Sequence, residues 1–142
     1  MKAVSLPLIL VIVLVICGSQ QGNANQTGSV PYTQAQVTAG KAAFATSCAA
    51  CHGAQLQGVS APALTGSTFG AAHLTVSVLR NGITTKMPLN APGSLSPTTY
   101  AAIIAYVLAW NCVKPSANTP FPTSDQPQFK NVVLAGQSCP VP

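Results

Sequence analysis

The pentapeptide Cys48-Ala49-Ala50-Cys51-His52 constrains the fold of this chain more than any other feature of its sequence. Cys-x-x-Cys-His is the pattern typical of covalent attachment of a c-type haem. Two thiols on one helical turn can each add to a vinyl group of the same porphyrin, and the histidine that follows can ligate the iron. Two other interpretations stay open on the pentapeptide alone, a redox dithiol and half of a zinc site.

The composition allows one domain and excludes several functions. The chain has 142 residues, and its six Lys and Arg residues stand against a single acid, Asp125, for a formal charge of +5. One carboxylate and no nucleophile–base pair argue against a hydrolase or a transferase. The basic residues are scattered and form no patch for nucleic acid. Charged residues make up only 5% of the chain. This composition suits a protein that works in an acidic medium outside the cell, where carboxylates would not stay ionised.

Residues 1–24 have the pattern of a secretory signal peptide. Lys2 supplies a positive start, Leu8 to Cys17 is an unbroken apolar run of ten residues, and a cleavage site with small side chains ends at Ala24. A transmembrane helix needs about 20 apolar residues, so we expect cleavage and a periplasmic or secreted mature chain. An uncleaved interfacial anchor and lipidation of Cys17 are the less favoured alternatives.

A helix is predicted immediately before the cysteine motif. Thr33 to Gln36 is a capping-box pattern, with Thr three residues before Gln. Val37, Gly40 and Phe44 then recur at helical spacing. These signals predict a helix from Gln34 to Ser47 that runs into the motif.

A second strong helix is predicted from Pro97 to Asn111. Ser96 is a good N-cap and Pro97 suits the first helical position. The segment is apolar over much of its surface, so we expect it to be buried against both the haem and the first helix. Gly40 costs a helix about 1 kcal/mol relative to Ala, and close approach of Tyr106 would account for that glycine.

The segment between these helices is expected to hold a loop, a short helix and a second loop. Gly53 to Ser67 is the first loop, where a carbonyl near Pro62 is a suitable acceptor for the second ring N–H of His52. The short helix is predicted from Ala72 to Asn81, with Gly82 as its left-handed stop. On this short helix we expect Leu74, Val78 and Leu79 to form the buried side. We expect His73 and Arg80 to point outward.

Met87 is the favoured second ligand of the iron. It lies beside Pro88 in a polar loop rich in Gly and Pro, and a thioether ligand favours ferrous iron and raises the reduction potential. The alternative for a lone methionine is core packing. His73, the only other histidine, is the weaker candidate ligand because we expect it at the surface.

From Thr33 to Asn111 the chain resembles the class I cytochrome c family in the order and spacing of its motifs. The matching residues are Gly40, Phe44, Cys48, Cys51, His52, Pro62, Asn81, Gly82, Met87, Pro88 and Tyr106. The resemblance implies an all-α fold with three main helices around one haem c, attached covalently through Cys48 and Cys51.

The same resemblance implies roles for further residues. His52 would be the proximal iron ligand, Met87 the distal ligand, and the Pro62 carbonyl the acceptor from His52. Lys86 would lie near the exposed haem edge where partners dock, although simple solvation explains it equally well. A looser resemblance, over Asn81 to Tyr106, is to cytochrome domains that serve quinoprotein dehydrogenases.

The C-terminal segment departs from the family. Six of the twelve prolines lie between Pro115 and Pro142, which predicts an irregular extension. Cys112 and Cys139 are the cysteines left over, and in an exported chain we expect them to form a disulfide that ties the extension back over the domain. Intermolecular pairing and a metal are the alternatives. The predicted organisation is a signal peptide (1–24), a linker (25–32), a cytochrome domain (33–113) and the extension (114–142).

The expected function is that of an electron carrier rather than an enzyme. An iron ligated by both His52 and Met87 has no open position, so it moves electrons without binding substrate. The expected partners are redox proteins such as a dehydrogenase, an oxidase or another cytochrome. The alternatives are a cytochrome subunit within a dehydrogenase complex, a haem sensor with a labile Met87, and a building block of a larger extracellular assembly.

Overall fold

A computed structural model of the chain describes residues 30–115 and 118–141, so the predicted signal peptide, Cys17 and most of the predicted linker lie outside the described residues. Within these ranges the structure is helical, and its only β pairing is one isolated bridge between Thr75 and Val133. The predicted all-α fold is confirmed. The elements are α1 (Gln34–Ser47), α2 (Ala49–His52), α3 (Gly66–Gly70), α4 (Val76–Lys86), α5 (Pro97–Trp110) and a 3-10 turn (Pro127–Asn131). None of the described helices is long and apolar enough to cross a membrane.

Helix α1 has the predicted bounds, and its first turn shows why. The backbone N–H of Gln36 donates to Thr33 Oγ1 at 3.2 Å, and the N–H of Thr33 donates to Gln36 Oε1 at 3.3 Å. These reciprocal bonds are the predicted capping box. The buried positions are Val37, Gly40 and Phe44, so the helical spacing read from the sequence is also confirmed.

Helix α5 begins at the predicted residue and ends one residue earlier than predicted. Ser96 Oγ accepts from the N–H of Thr99 at 3.1 Å, and Pro97 occupies the first position. Ten of the 14 residues are buried. This helix is therefore the central element of the core.

Helices α1 and α5 form the most extensive helix–helix interface of the described chain. They meet at Gly40, where an added Cβ atom would lie 2.9 Å from Tyr106 Cβ and closer still to the carbonyl of Ala102. The ring of Phe44 also packs on that of Tyr106, with centroids 5.4 Å apart. The predicted contact between Gly40 and Tyr106 is confirmed.

The middle helix begins later than predicted. The prediction of a helix from Ala72 is wrong because His73 has a φ of 47°, in the left-handed region that helices do not use. Helix α4 starts at Val76, where Thr75 Oγ1 accepts from the N–H of Val78 at 3.3 Å. The end of the predicted first loop also forms a short helix, α3, over Gly66–Gly70.

The middle helix also ends later than predicted. Gly82 is not a stop but lies inside α4, which continues to Lys86. The helix ends there because Met87 precedes Pro88 and takes an extended backbone, with φ −121° and ψ 154°. The signal for this boundary was Pro88 rather than the glycine.

The later start of α4 changes which side chains are buried. Leu79 is buried as predicted, but Val78 is 55% exposed, so its predicted burial is wrong. His73 is exposed, as predicted. Arg80 is half-buried instead of pointing outward, and its guanidinium donates to the carbonyl of Thr123.

The C-terminal extension packs into the same core as the helices. The rings of Phe121 and Phe129 stack with centroids 5.1 Å apart and planes 9° apart, and both side chains are buried, as are Val132 and Leu134. The sulfur atoms of Cys112 and Cys139 form a disulfide, with the Cα atoms 5.2 Å apart. At the other end of the described chain, Tyr32, in the predicted linker, is fully buried.

Candidate haem site

The cysteine motif lies at the junction of α1 and α2. The backbone bends at Cys48, where φ is −133°, and a single turn follows in which the N–H of His52 donates to the Cys48 carbonyl at 2.9 Å. The thiols of Cys48 and Cys51 are free, the first half-buried and the second exposed. One turn therefore presents two reduced thiols and one imidazole from five consecutive residues.

His52 is held in one orientation by the loop that follows it. Its Nδ1 atom lies 2.8 Å from the carbonyl oxygen of Pro62, and the side chain is only 8% exposed. A carbonyl can only accept, so Nδ1 carries the proton and the lone pair is on Nε2. This is the arrangement in which an imidazole is ready to bind a metal through Nε2.

The loop after the motif fixes the position of the Pro62 carbonyl. The Cys51 carbonyl accepts from the N–H groups of Val59, Ser60 and Ala61 at 3.0–3.1 Å. The N–H of Gly58 donates to the His52 carbonyl at 2.8 Å. The loop therefore folds back onto the motif immediately before Pro62.

Met87 lies at the C-terminal end of α4 and is half-buried. Its backbone carbonyl accepts from Tyr100 Oη at 2.6 Å, and Tyr100 belongs to the first turn of α5. The same hydroxyl lies 3.4 Å from the N–H of Leu95. Met87 is thus positioned between two helices, and Lys86 before it is exposed.

Comparisons with known proteins decide the family. The family model described as "Cytochrome C oxidase, cbb3-type, subunit III" matches residues 35–107, which contain the motif, Met87 and Tyr106. Cytochrome c-551 of Bacillus subtilis (strain 168) is 33% identical over 98 residues, which cover 68% of this chain and 82% of that protein. The chain belongs to the class I cytochrome c family. It is therefore an electron-transfer protein of the haem c class.

The fold of this cytochrome is also found in a solved structure. A chain of the sulfane dehydrogenase SoxCD from Paracoccus pantotrophus superposes with a TM-score of 0.54 and 23% identity. The match covers 75% of this cytochrome and 60% of that chain. At this identity the likeness is one of fold.

The surroundings of Cys48 are unlike those of a redox dithiol. Burial raises the pKa of the Cys48 thiol to about 11, whereas the attacking cysteine of a disulfide oxidoreductase has a lowered pKa. For a zinc site, four ligands are usual. In residues 30–115 and 118–141, no group of three or more His, Cys, Asp and Glu side chains is placed to hold a metal ion.

The side chains of the cytochrome fit the haem c that its family implies. His52 offers an unprotonated Nε2, Met87 offers a thioether, and Cys48 and Cys51 offer reduced thiols one turn apart. The first two are the donor types that hold the iron in cytochromes c.

Tyr100 is a site residue that the sequence analysis missed. It lies in the segment from Pro97 to Asn111 that was predicted only to be largely apolar and buried, although its hydroxyl supports the Met87 backbone. A buried tyrosine hydroxyl needs a hydrogen-bond partner. That requirement was the available signal, but the sequence does not say which carbonyl is the partner.

Proposed function

We propose that this cytochrome is an exported, mono-haem electron carrier that moves single electrons between redox proteins. In this proposal the thiols of Cys48 and Cys51 attach the haem covalently, His52 Nε2 is the proximal iron ligand, and the Met87 sulfur is the distal ligand. The observation that carries the proposal is the 2.8 Å bond between His52 Nδ1 and the Pro62 carbonyl. That bond fixes both the ring and its tautomer, as a permanent metal ligand requires.

The residues of the chain would do three things for the cofactor, whose own chemistry is the gain and loss of one electron at iron. The Pro62 carbonyl holds the His52 ring through Nδ1, so Nε2 would stay directed toward the iron. Met87 would supply the second iron ligand, and as a thioether it would favour the ferrous state and a positive potential. The residues that bury His52, whose side chain is 8% exposed, would shield the bond between its Nε2 atom and the iron from water.

The charge of the mature chain favours weak steering of partners. Removal of residues 1–24 takes away Lys2 and lowers the formal charge from +5 to 5 − 1 = +4. Two haem propionates would lower it further to about +2, a field too small for strong attraction. The partners we propose are a donor and an acceptor among dehydrogenases, oxidases and other cytochromes, reached outside the cytoplasm.

Spectroscopy of the full chain tests the site. The ferric protein should show a methionine-to-iron charge-transfer band that is lost in Met87→Leu and kept in Leu89→Ala, a matched change at a 79% exposed position of the same loop. The haem should stay with the denatured polypeptide and be released from Cys48→Ser/Cys51→Ser. N-terminal sequencing of the exported protein should begin near Asn25. High-spin ferric iron in the unaltered protein would contradict the proposed ligand pair.

A second candidate function is that of a subunit in an oxidoreductase complex, or of a haem sensor with a labile Met87. The subunit role is favoured by one observation, since the matching family model is named after an oxidase subunit. Purification from the native source separates the candidates. A free carrier elutes alone, whereas a subunit elutes with its complex. Rapid carbon monoxide binding to the ferrous protein would support the sensor.

A further inference from the structure

We propose that the C-terminal extension is a clamp that positions the distal ligand Met87 by holding helix α4. This inference rests on the proposed ligation by Met87. The extension, residues 114–142, lies wholly beyond the match to the cytochrome family model, which ends at residue 107. Its contacts with α4 are concentrated on the half of that helix that lies away from Met87.

The backbone of the extension pairs with the residues around the start of α4. The N–H of Val76, the first residue of the helix, donates to the Val132 carbonyl at 2.9 Å, and the N–H of Leu134 donates to the Leu74 carbonyl at 2.9 Å. Thr75, the N-cap, forms the isolated bridge with Val133. The first N–H groups of a helix have no partner within it, so the extension satisfies one of them.

Side chains on the next turns of α4 also hold the extension. Ser77 Oγ donates to Asp125 Oδ2 at 2.6 Å. Asp125 is the only acidic residue of the whole sequence, and its negative charge is favourable beside the first turn of a helix. One turn on, the guanidinium of Arg80 donates to the carbonyl of Thr123. The chain from Leu74, just before α4, to Arg80 within it is thus joined to the extension by both backbone and side chains.

The extension can act as a clamp because it is fixed elsewhere in the fold. The disulfide joins Cys139 to Cys112 just after α5, and the N–H of Cys139 donates to the Trp110 carbonyl at 2.8 Å. At its other end, the N–H of Phe121 donates to Gln36 Oε1 at 2.7 Å, while Gln36 Nε2 donates back to the Phe121 carbonyl at 3.1 Å. The extension therefore connects α4 to both central helices.

Met87 receives the effect of these contacts through α4. The helix is continuous over its 11 residues, so contacts that hold its first half also constrain the position of its last turn and of Met87 after it. On the other side, Tyr100 of α5 holds the Met87 carbonyl. Ser77, Arg80 and Asp125 are thus positioning residues, since they act on Met87 through the helix. A secure clamp keeps the thioether in place, and a loosened one turns a closed carrier into a protein that binds diatomic ligands.

The rate of carbon monoxide binding to the ferrous, haem-loaded full chain tests the clamp, because binding requires Met87 to leave the iron. Ser77→Ala/Arg80→Ala removes two hydrogen bonds with charged partners, and we expect binding about tenfold faster. Phe129→Ala, which removes a fully buried anchor of the extension, should give a larger increase. As the pH is raised, the methionine-to-iron band of the ferric protein should disappear at a lower pH in both variants than in the unaltered protein.

Two controls separate positioning from general destabilisation. The first control is Ser124→Ala, next to Asp125 in the sequence. Among the described residues, the side chain of Ser124 has one hydrogen-bond partner, Gln126, so this variant should bind carbon monoxide like the unaltered protein. Val37→Ala destabilises the core at α1, away from α4, and should lower the unfolding free energy without changing the binding rate. Equal rates in Val37→Ala and the clamp variants would overturn the inference.

The two proposals fail in different ways. If the unaltered ferric protein lacks the methionine-to-iron band, the proposed ligation by Met87 is wrong and the clamp fails with it. If the unaltered protein has the band, and both Ser77→Ala/Arg80→Ala and Phe129→Ala keep its rate and pH profile, only the clamp is wrong. The double variant changes half-exposed side chains, so it keeps the test valid even where Phe129→Ala does not fold.

Discussion

Gly40 of α1 lies directly against the backbone carbonyl of Ala102 in α5. A Cβ atom added at Gly40 would lie 2.6 Å from the carbonyl carbon of Ala102 and closer still to its oxygen. A backbone carbonyl inside a helix cannot move aside, so only glycine fits at this crossing. The contact joins α1, which leads into the cysteine motif, to α5, the central helix of the core.

Gly40→Ala should therefore destabilise the protein despite the better helix propensity of alanine. We expect a loss of about 2 kcal/mol, because overpacking costs about 1–3 kcal/mol and outweighs the propensity gain of up to about 1 kcal/mol. Gly82→Ala is the matched control, since an added Cβ there has no neighbour within 4 Å. Gly82→Ala should stabilise by up to about 1 kcal/mol. Urea unfolding measures both, and a destabilised Gly82→Ala would contradict the placement of Gly82 inside α4.

The parts of the fold that were predictable from sequence depend on neighbouring residues. The capping box of Thr33 and Gln36 fixes the start of α1, and Ser96 with Pro97 fixes the start of α5. These signals act within one turn, so a linear sequence contains all of the information. The motif at Cys48 is equally local, which is why its helical turn could be anticipated.

The parts that were not predictable depend on distant residues. Helix α4 was expected to begin at Ala72, but its first N–H group is satisfied by Val132, which is 56 residues away. The support of Met87 by Tyr100 and the stacking of Phe121 on Phe129 are also tertiary contacts. Proline content correctly indicated an extension with little regular structure, but it carries no information about where such a segment packs.

Tyr32 should make the stability fall in alkali. Burial raises the pKa of Tyr32 from 10.0 to about 12, and its hydroxyl donates to the Val113 carbonyl. Between about pH 10 and pH 12 the unfolded chain releases this proton while the folded chain keeps it, so the unfolding free energy falls as pH rises, by up to about 3 kcal/mol. This contribution is fully present below pH 10. Tyr32→Phe should flatten the fall, as measured by urea unfolding at several pH values. An equal slope in both proteins would refute the assignment.

The disulfide should make a large contribution to stability. Cys112 and Cys139 are 27 residues apart in the sequence, and closing a loop of this length stabilises by about 3.5 kcal/mol through the entropy of the unfolded chain. Cys112→Ser/Cys139→Ser should lower the unfolding free energy by about that amount. Mass spectrometry of the unaltered protein should find both thiols blocked to alkylation before reduction. Free thiols at these two positions in the exported protein would contradict the bond.

The shortage of carboxylates should make the fold resistant to acid. Acid unfolding arises mostly from carboxylates that are paired in the native state and must be protonated, and Asp125 is the only acidic side chain. It lies on the surface, where its hydrogen-bond partner is Ser77. Far-UV circular dichroism of the haem-loaded protein should therefore change little between about pH 7 and pH 3, and Asp125→Asn should follow the same curve. A cooperative loss of helix in that range that Asp125→Asn abolishes would show that one carboxylate controls the fold.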